Sequence, residues 1–214
     1  MANTLVSAWL NTVMEKVGAD YDETLIERAV LNAAIEFARE TRCHQIYETL
    51  TTIAGQPLYS VDTPRLTRLL EVHSIHYGVN GKPLTAVDFD YIEKRFHSWE
   101  IQQGAPDVYT MEDEATIRLV RVPASIDRMR AGYTLAPEEG ATEIDSLYWR
   151  DYKEVIACGA AAYLLSLPND PERPVTDPRA AMVYESKFQE NISRIISRGG
   201  PNRLQRHTRR VKRW

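Results

Sequence analysis

Leu5, Trp9, Leu10, Val13, Met14 and Val17 fall at helical spacing and predict an amphipathic helix over residues 4–17, ended by Gly18-Ala19-Asp20. Asp22 is placed to cap a second helix, and Glu23 suits the positive end of its dipole. Leu25, Ile26, Ala29, Val30, Ala33 and Phe37 give that helix one apolar face up to Arg42. At His44 the pattern changes. Thr49 to Val61 is rich in Thr, Ile, Leu, Tyr and Val, and Ala54-Gly55-Gln56-Pro57 breaks it into a predicted hairpin. Leu69 to Tyr77 predicts a strand, Asn80-Gly81 a hairpin turn, and Lys82-Pro83-Leu84 the return strand. Residues 86–96 predict a short helix. Val108 to Met111 and Thr116 to Val122 predict strands joined by the acidic turn Glu112-Asp113-Glu114, and Met129 to Leu135 the last strand.

Helical spacing returns at Ser146. Leu147, Tyr152, Val155, Ile156, Ala160, Tyr163, Leu164 and Leu167 predict a long, largely buried helix, and the run Ala157-Cys158-Gly159-Ala160-Ala161-Ala162 is small enough to admit a neighbouring helix closely. Pro168, Pro171 and Pro174 stiffen a loop, and Asp177-Pro178 opens a final helix that lines up Ala181, Tyr184, Phe188, Ile192 and Ile195 to Arg198. The expected fold class is α+β: N- and C-terminal helices form a helical bundle, a β-rich domain is inserted between them, and an extended tail follows. The expected divisions are 1–44 for the N-terminal helices, 45–145 for the β-rich domain with one short helix, 146–198 for the C-terminal helices and 199–214 for the tail.

Charge alters the picture at the C-terminus. After Gly199-Gly200-Pro201 the chain carries Arg203, Arg206, Arg209, Arg210, Lys212 and Arg213, interleaved with Leu204 and Val211 and ended by Trp214. The chain has 26 Lys and Arg against 30 Asp and Glu, a net charge of −4. Without the tail's six cations, twenty basic groups face thirty acidic ones, so residues 1–198 carry −10. An acidic body thus carries a cationic peptide with too little apolar surface to order itself. Three uses fit such a segment: a solvated solubilising run, capture by a partner protein, or contact with nucleic acid.

Candidate chemistry is sparse. Gly78-Val79-Asn80-Gly81-Lys82 lacks the spacing of a phosphate-binding loop and has Pro83 where a hydroxyl belongs. There is no GxSxG elbow and no GxGxxG. His73 and His76, three apart on a predicted strand, point to opposite faces and suit structural or surface roles better than a shared metal. Glu112-Asp113-Glu114 and Glu138-Glu139 read as solvated turns. Cys158, among alanines, reads as a packed thiol, and with Cys43 it makes up a cysteine content suited to a reduced, cytoplasmically made protein. Trp9, Tyr152, Tyr163, Tyr184 and Phe188 fall on apolar helix faces, whereas Trp99 and Trp149 sit near element ends as boundary or interface residues. No apolar run approaches the ~20 residues of a membrane span, and the first residues do not read as a secretory signal.

In order and spacing, several words along the chain carry a resemblance. They are Leu31 to Thr41, Thr49 to Val61, Arg68 to Val72, Asn80 to Leu84, Gly104 to Tyr109, Leu119 to Pro123, Tyr148 to Tyr152 and Tyr184 to Phe188. Together they resemble the head-to-tail adaptor (connector) proteins of tailed bacteriophages over nearly the whole chain. The resemblance implies a structural virion protein without enzyme activity or cofactor. It implies a homo-oligomeric ring, usually of twelve copies, that lies beneath the portal in the virion neck, extends the DNA channel and docks a tail or nozzle protein. Such a protein is made in the host cytoplasm, does not enter a membrane, and lets genomic DNA pass its lumen without specific binding; an acidic body suits that lumen wall. The implied portal-binding segment covers Arg203, Leu204, Arg206, Arg209, Arg210, Val211, Lys212, Arg213 and Trp214. The competing reading, from the residues alone, is a nucleic-acid-binding module that uses the same basic tail as a clamp.

Overall fold

The computed structural model describes residues 2–18, 21–167 and 177–198. In chain order the first elements are β1 (Asn3–Leu5), a 3-10 turn (Val6–Trp9), α1 (Leu10–Val17), α2 (Glu23–Thr41), β2 (Gln45–Thr52), β3 (Leu58–Ser60), β4 (Thr67–Tyr77) and β5 (Lys82–Ala86). There follow α3 (Phe89–Arg95), β6 (Gln103–Gly104), β7 (Val108–Met111), β8 (Thr116–Val120), β9 (Val122–Pro123), β10 (Asp127–Pro137), β11 (Glu143–Asp145), α4 (Ser146–Ser166) and α5 (Pro178–Ser197). They divide between two units: the described residues within 1–44, 65–68 and 136–198 make up one, and residues 45–64 and 69–135 the other.

In the first unit the helix starts follow side-chain chemistry. The Asp22 carboxylate accepts from the amides of Thr24 and Leu25, and Asp177 accepts from those of Arg179 and Ala180. Each satisfies donors that the first turn of a helix leaves unpaired. Left-handed residues close α1 and α2, Gly18 at φ 64° and Arg42 at φ 51°. The core gathers Trp9, Ile26, Val30, Phe37, Ile156 and Phe188, all essentially inaccessible. At Gly159 a β-carbon would lie 3.0 Å from the Ala33 methyl and 3.0 Å from the Phe188 ring. The small run of α4 therefore serves the role its composition predicts: it brings α2 and α5 against α4.

The second unit is built on one seven-stranded sheet, ordered β2-β10-β4-β5-β7-β8-β3. Its pairings with a defined register are antiparallel except β5 with β7, which run parallel. Tyr59, Ile75, Tyr109, Ile117, Met129 and Tyr133 lie in its core. The strands at the two ends of this order, β2 and β3, are consecutive in the chain and joined only by residues 53–57. So short a connection requires the sheet to curl. At Gly132 in β10 a β-carbon would lie 2.6 Å from both His73 Nε2 and Ser74 Oγ and 2.8 Å from Tyr47 Cε1, so only glycine fits among these side chains.

The expected architecture, a bundle of terminal helices with an inserted β-domain and a tail, is corrected by this structure. The fold is mixed α+β, and β-structure enters the helical unit itself. Asn3, Thr4 and Leu5 pair antiparallel with Asp145, Ile144 and Glu143, so the first predicted turns of helix are strand and 3-10 turn. β4 begins, and β10 ends, with residues grouped with the helical unit. The predicted hairpin over Thr49 to Val61 is also absent: β2 pairs with β10 and β3 with β8. The Tyr59 hydroxyl closes the 53–57 loop instead, accepting from the Ile53 amide at 3.1 Å and donating to the Gln56 carbonyl at 2.8 Å. The predicted tail, 199–214, lies outside the described residues.

Candidate functional site

The nine residues singled out for portal binding, Arg203 to Trp214, lie outside the described residues, which end at Arg198 on the last turn of α5. The functional question for the described chain therefore turns on what its buried titratable groups and its surfaces do.

In the helical unit Cys43, His44, Asp145 and Tyr148 come together in a buried cluster. The His44 Nε2 lies 3.8 Å from an Asp145 oxygen, and its ring packs edge-on against Tyr148 with centroids 5.8 Å apart. A cysteine, a histidine and an aspartate in proximity resemble a nucleophilic set, but the electrostatics run the other way. Burial pushes the Cys43 thiol up to about 11, far from the depressed value an attacking thiolate needs. Burial raises Cys158 as well. The Asp145 carboxylate also caps α4, accepting from the Leu147 amide at 2.8 Å. The cluster joins α2, β11 and α4; it is structural.

That cluster carries a pH dependence. Burial, opposed by the Asp145 carboxylate, lowers His44 below its ordinary 6.5. His73, packed edge-on against Tyr47 at 5.4 Å, is lowered by burial against the pull of Glu71. Below about pH 6.5 the unfolded chain binds protons that the folded chain refuses, so stability is full above that value and falls as pH drops. The unfolding midpoint is expected to decrease between pH 7 and pH 5, before most carboxylates titrate. Thermal melts across that range check this, and His44→Gln should flatten the slope. An unchanged midpoint would contradict it.

Other sequence candidates are taken up by partners within their own unit. Glu112 pairs with Arg118, and Asp113 accepts from the Ala115 amide at 2.8 Å, so the acidic turn is internally satisfied. Glu139 lies 3.7 Å from Arg68. Among the described residues no group of three or more His, Cys, Asp or Glu is placed to hold a metal ion. Trp149 meets Trp9 edge-on at 4.7 Å and carries the Lys153 ammonium 4.3 Å from its centroid, while Trp99 lies under the Arg118 guanidinium at 5.3 Å. Both are covered by cations. Among the described residues no helix is long and apolar enough to cross a membrane.

The helical unit also has an open trough where α2, α4 and α5 meet, with a volume of about 570 Å³. Ala33, Gly159, Ala162 and Phe188 form its floor, and Tyr163 and Met182 its apolar edge. Met182 is 74% exposed and Tyr163 40%. Glu36 and Glu185 also line it, tied together by Gln189, whose amide donates to both at 3.2 and 2.9 Å.

A family model described as SU10 adaptor protein matches residues 3–212. The chain belongs to the SU10 adaptor protein family. The adaptor resemblance carried by the order of short sequence words is thereby borne out, and the match runs through the basic segment as far as Lys212. None of the curated proteins matches the adaptor. Among solved structures, a chain of the neck of an empty GTA particle, computed with C6 symmetry, is similar over 87% of the adaptor and 95% of its own length, at 10% identity and a TM-score of 0.27. At that score the likeness supports no inference. The trough was not legible in the sequence: its lining comes from three helices, and no single helix displays it.

Proposed function

We propose that this adaptor is a non-enzymatic structural protein of the virion neck. It assembles as a ring, of twelve copies by analogy with the resemblance above, beneath the portal. The ring extends the DNA channel and presents a docking surface to a tail or nozzle protein, and genomic DNA passes without specific binding. The observation that carries this reading is the family match, which includes the cationic segment in the same span as the folded body. The segment attaches the ring to the portal. Arg203, Arg206, Arg209, Arg210, Lys212 and Arg213 offer charge-assisted bonds to acidic or carbonyl-rich surface, with Leu204, Val211 and Trp214 as apolar anchors.

Electron microscopy of the purified protein mixed with its portal rings tests the reading. The expected result is an added ring of density on the tail-facing side of the portal, with the protein alone remaining a monomer or small oligomer at micromolar concentration. Binding to any DNA duplex with a steep salt slope, and none to portal, would instead establish a nucleic-acid clamp.

A further inference from the structure

The trough between α2, α4 and α5 pairs an apolar floor with an acidic rim that has no cationic counterpart. Among the described residues no cation lies within ion-pair reach of Glu36 or Glu185. Burial raises the Glu36 carboxyl, Gln189 opposes this by hydrogen bonding, and the charges acting on it, Glu185 and Glu40, are both acidic. Two like charges held by one shared amide, beside an exposed methionine and tyrosine, form a surface suited to a cation that carries apolar bulk. Met–aromatic and arginine–carboxylate contacts supply the two halves of such recognition.

The sequence itself contains a segment of that chemistry. Arg209, Arg210, Lys212 and Arg213 lead to Trp214, with no acidic residue after Glu190. Its reach is sufficient. Met182 lies sixteen residues before Arg198 on one helix, about 24 Å at 1.5 Å per residue. The sixteen residues from Gly199 to Trp214 span up to about 50 Å when extended. A segment tethered to the same body competes at an effective concentration in the millimolar range, above any second copy at micromolar concentration.

We propose that in the unassembled protein the chain's own C-terminal segment occupies this trough, with Trp214 against Tyr163 and Met182 and the neighbouring arginines on the Glu36–Glu185 rim. The trough then holds the segment until a portal surface competes for it. That consequence rests on the portal-binding reading above; the occupancy itself does not.

The test is a disulfide trap in the full chain without portal. Ser186→Cys, at an exposed position in the trough lining, is combined with Thr208→Cys, so that every proposed contact residue is kept, and a control pairs Ile196→Cys, 49% exposed on the same helix and nearer the segment, with the same Thr208→Cys. The native thiols Cys43 and Cys158 are buried. Under mild oxidation the first pair is expected to link within one monomer at least about tenfold faster than the control, reflecting a local concentration set by docking rather than by the tether alone. Glu36→Gln with Glu185→Gln should slow it several-fold, as should high salt. A covalent dimer carrying the 186–208 link would place the segment in a neighbour's trough and overturn the proposal, as would equal rates for pair and control. Neither outcome bears on portal attachment, which the truncated chain tests separately.

Discussion

Deletion of residues 199–214 is expected to abolish co-sedimentation with portal rings while leaving the body folded, its unfolding midpoint lowered by no more than about 8 °C. The first half follows from chemistry: the deletion removes six Lys and Arg and the terminal tryptophan, the groups proposed to make the attachment. The second follows from packing. No described core residue lies beyond Ile192, and the described structure reaches Arg198 with the last helix already closed by the Arg198 amide on the Arg194 carbonyl. Loss of surface groups typically changes stability by within ~0.5 kcal/mol, and release of a segment docked about tenfold in the trough adds about 1.4 kcal/mol, which together set the limit on the midpoint. Point variants separate the two kinds of contact. Replacing Arg209, Arg210 and Arg213 by Ala should weaken attachment more at low salt than at high salt, because exposed charge pairs are screened. Trp214→Ala should weaken it almost equally at both, since burial of an indole does not depend on ionic strength. The measurement is co-sedimentation of each variant with portal rings over a salt series. A truncated chain that attached as well as the full one would leave the segment as a solubilising appendage.

What could be read from the sequence divides along the range of the interactions. Asp22 and Asp177-Pro178 mark helix starts because a capping carboxylate acts on amides two and three residues away. Asn80-Gly81 marks the β4–β5 turn for the same reason, with Tyr77 facing Lys82 across it. The strand Asn3–Leu5 was not legible, because its partner lies 140 residues on at Glu143–Asp145 and its apolar spacing runs on smoothly into the helix that follows. The false hairpin at Thr49 to Val61 had the right strand composition. What it lacked was a two-residue turn, and β2 and β3 went to opposite ends of the sheet order. The tail announced itself by charge. The trough did not, because Glu36, Tyr163 and Met182 belong to three different helices and acquire a common meaning only when those helices meet.

Gly159→Leu is expected to destabilise the protein by roughly 2–3 kcal/mol, toward the upper part of the range for overpacking. The position is fixed by its neighbours. A single β-carbon there already comes within 3.0 Å of the Ala33 methyl on α2 and 3.0 Å of the Phe188 ring on α5. Phe188 is 1% exposed and Ala33 5%, so neither can swing into solvent, and the isobutyl group is left to wedge α2 and α5 away from α4 or to turn up into the trough at a strained rotamer. For a chain of this length the loss corresponds to a fall in unfolding midpoint of roughly 5–10 °C. Gly159→Ala divides the effect. The methyl gains up to about 1 kcal/mol in helix propensity and sets it against the squeeze on Ala33 and Phe188, so its net change should be small compared with that of leucine. If the tight approach of α2 and α5 is the cause, Gly159→Leu combined with Phe188→Leu should recover part of the lost stability, because the smaller aliphatic side chain vacates the space the ring occupied. Thermal or denaturant unfolding of the four proteins measures the coupling. Strict additivity of the two substitutions would show that the glycine answers to something other than the ring it touches.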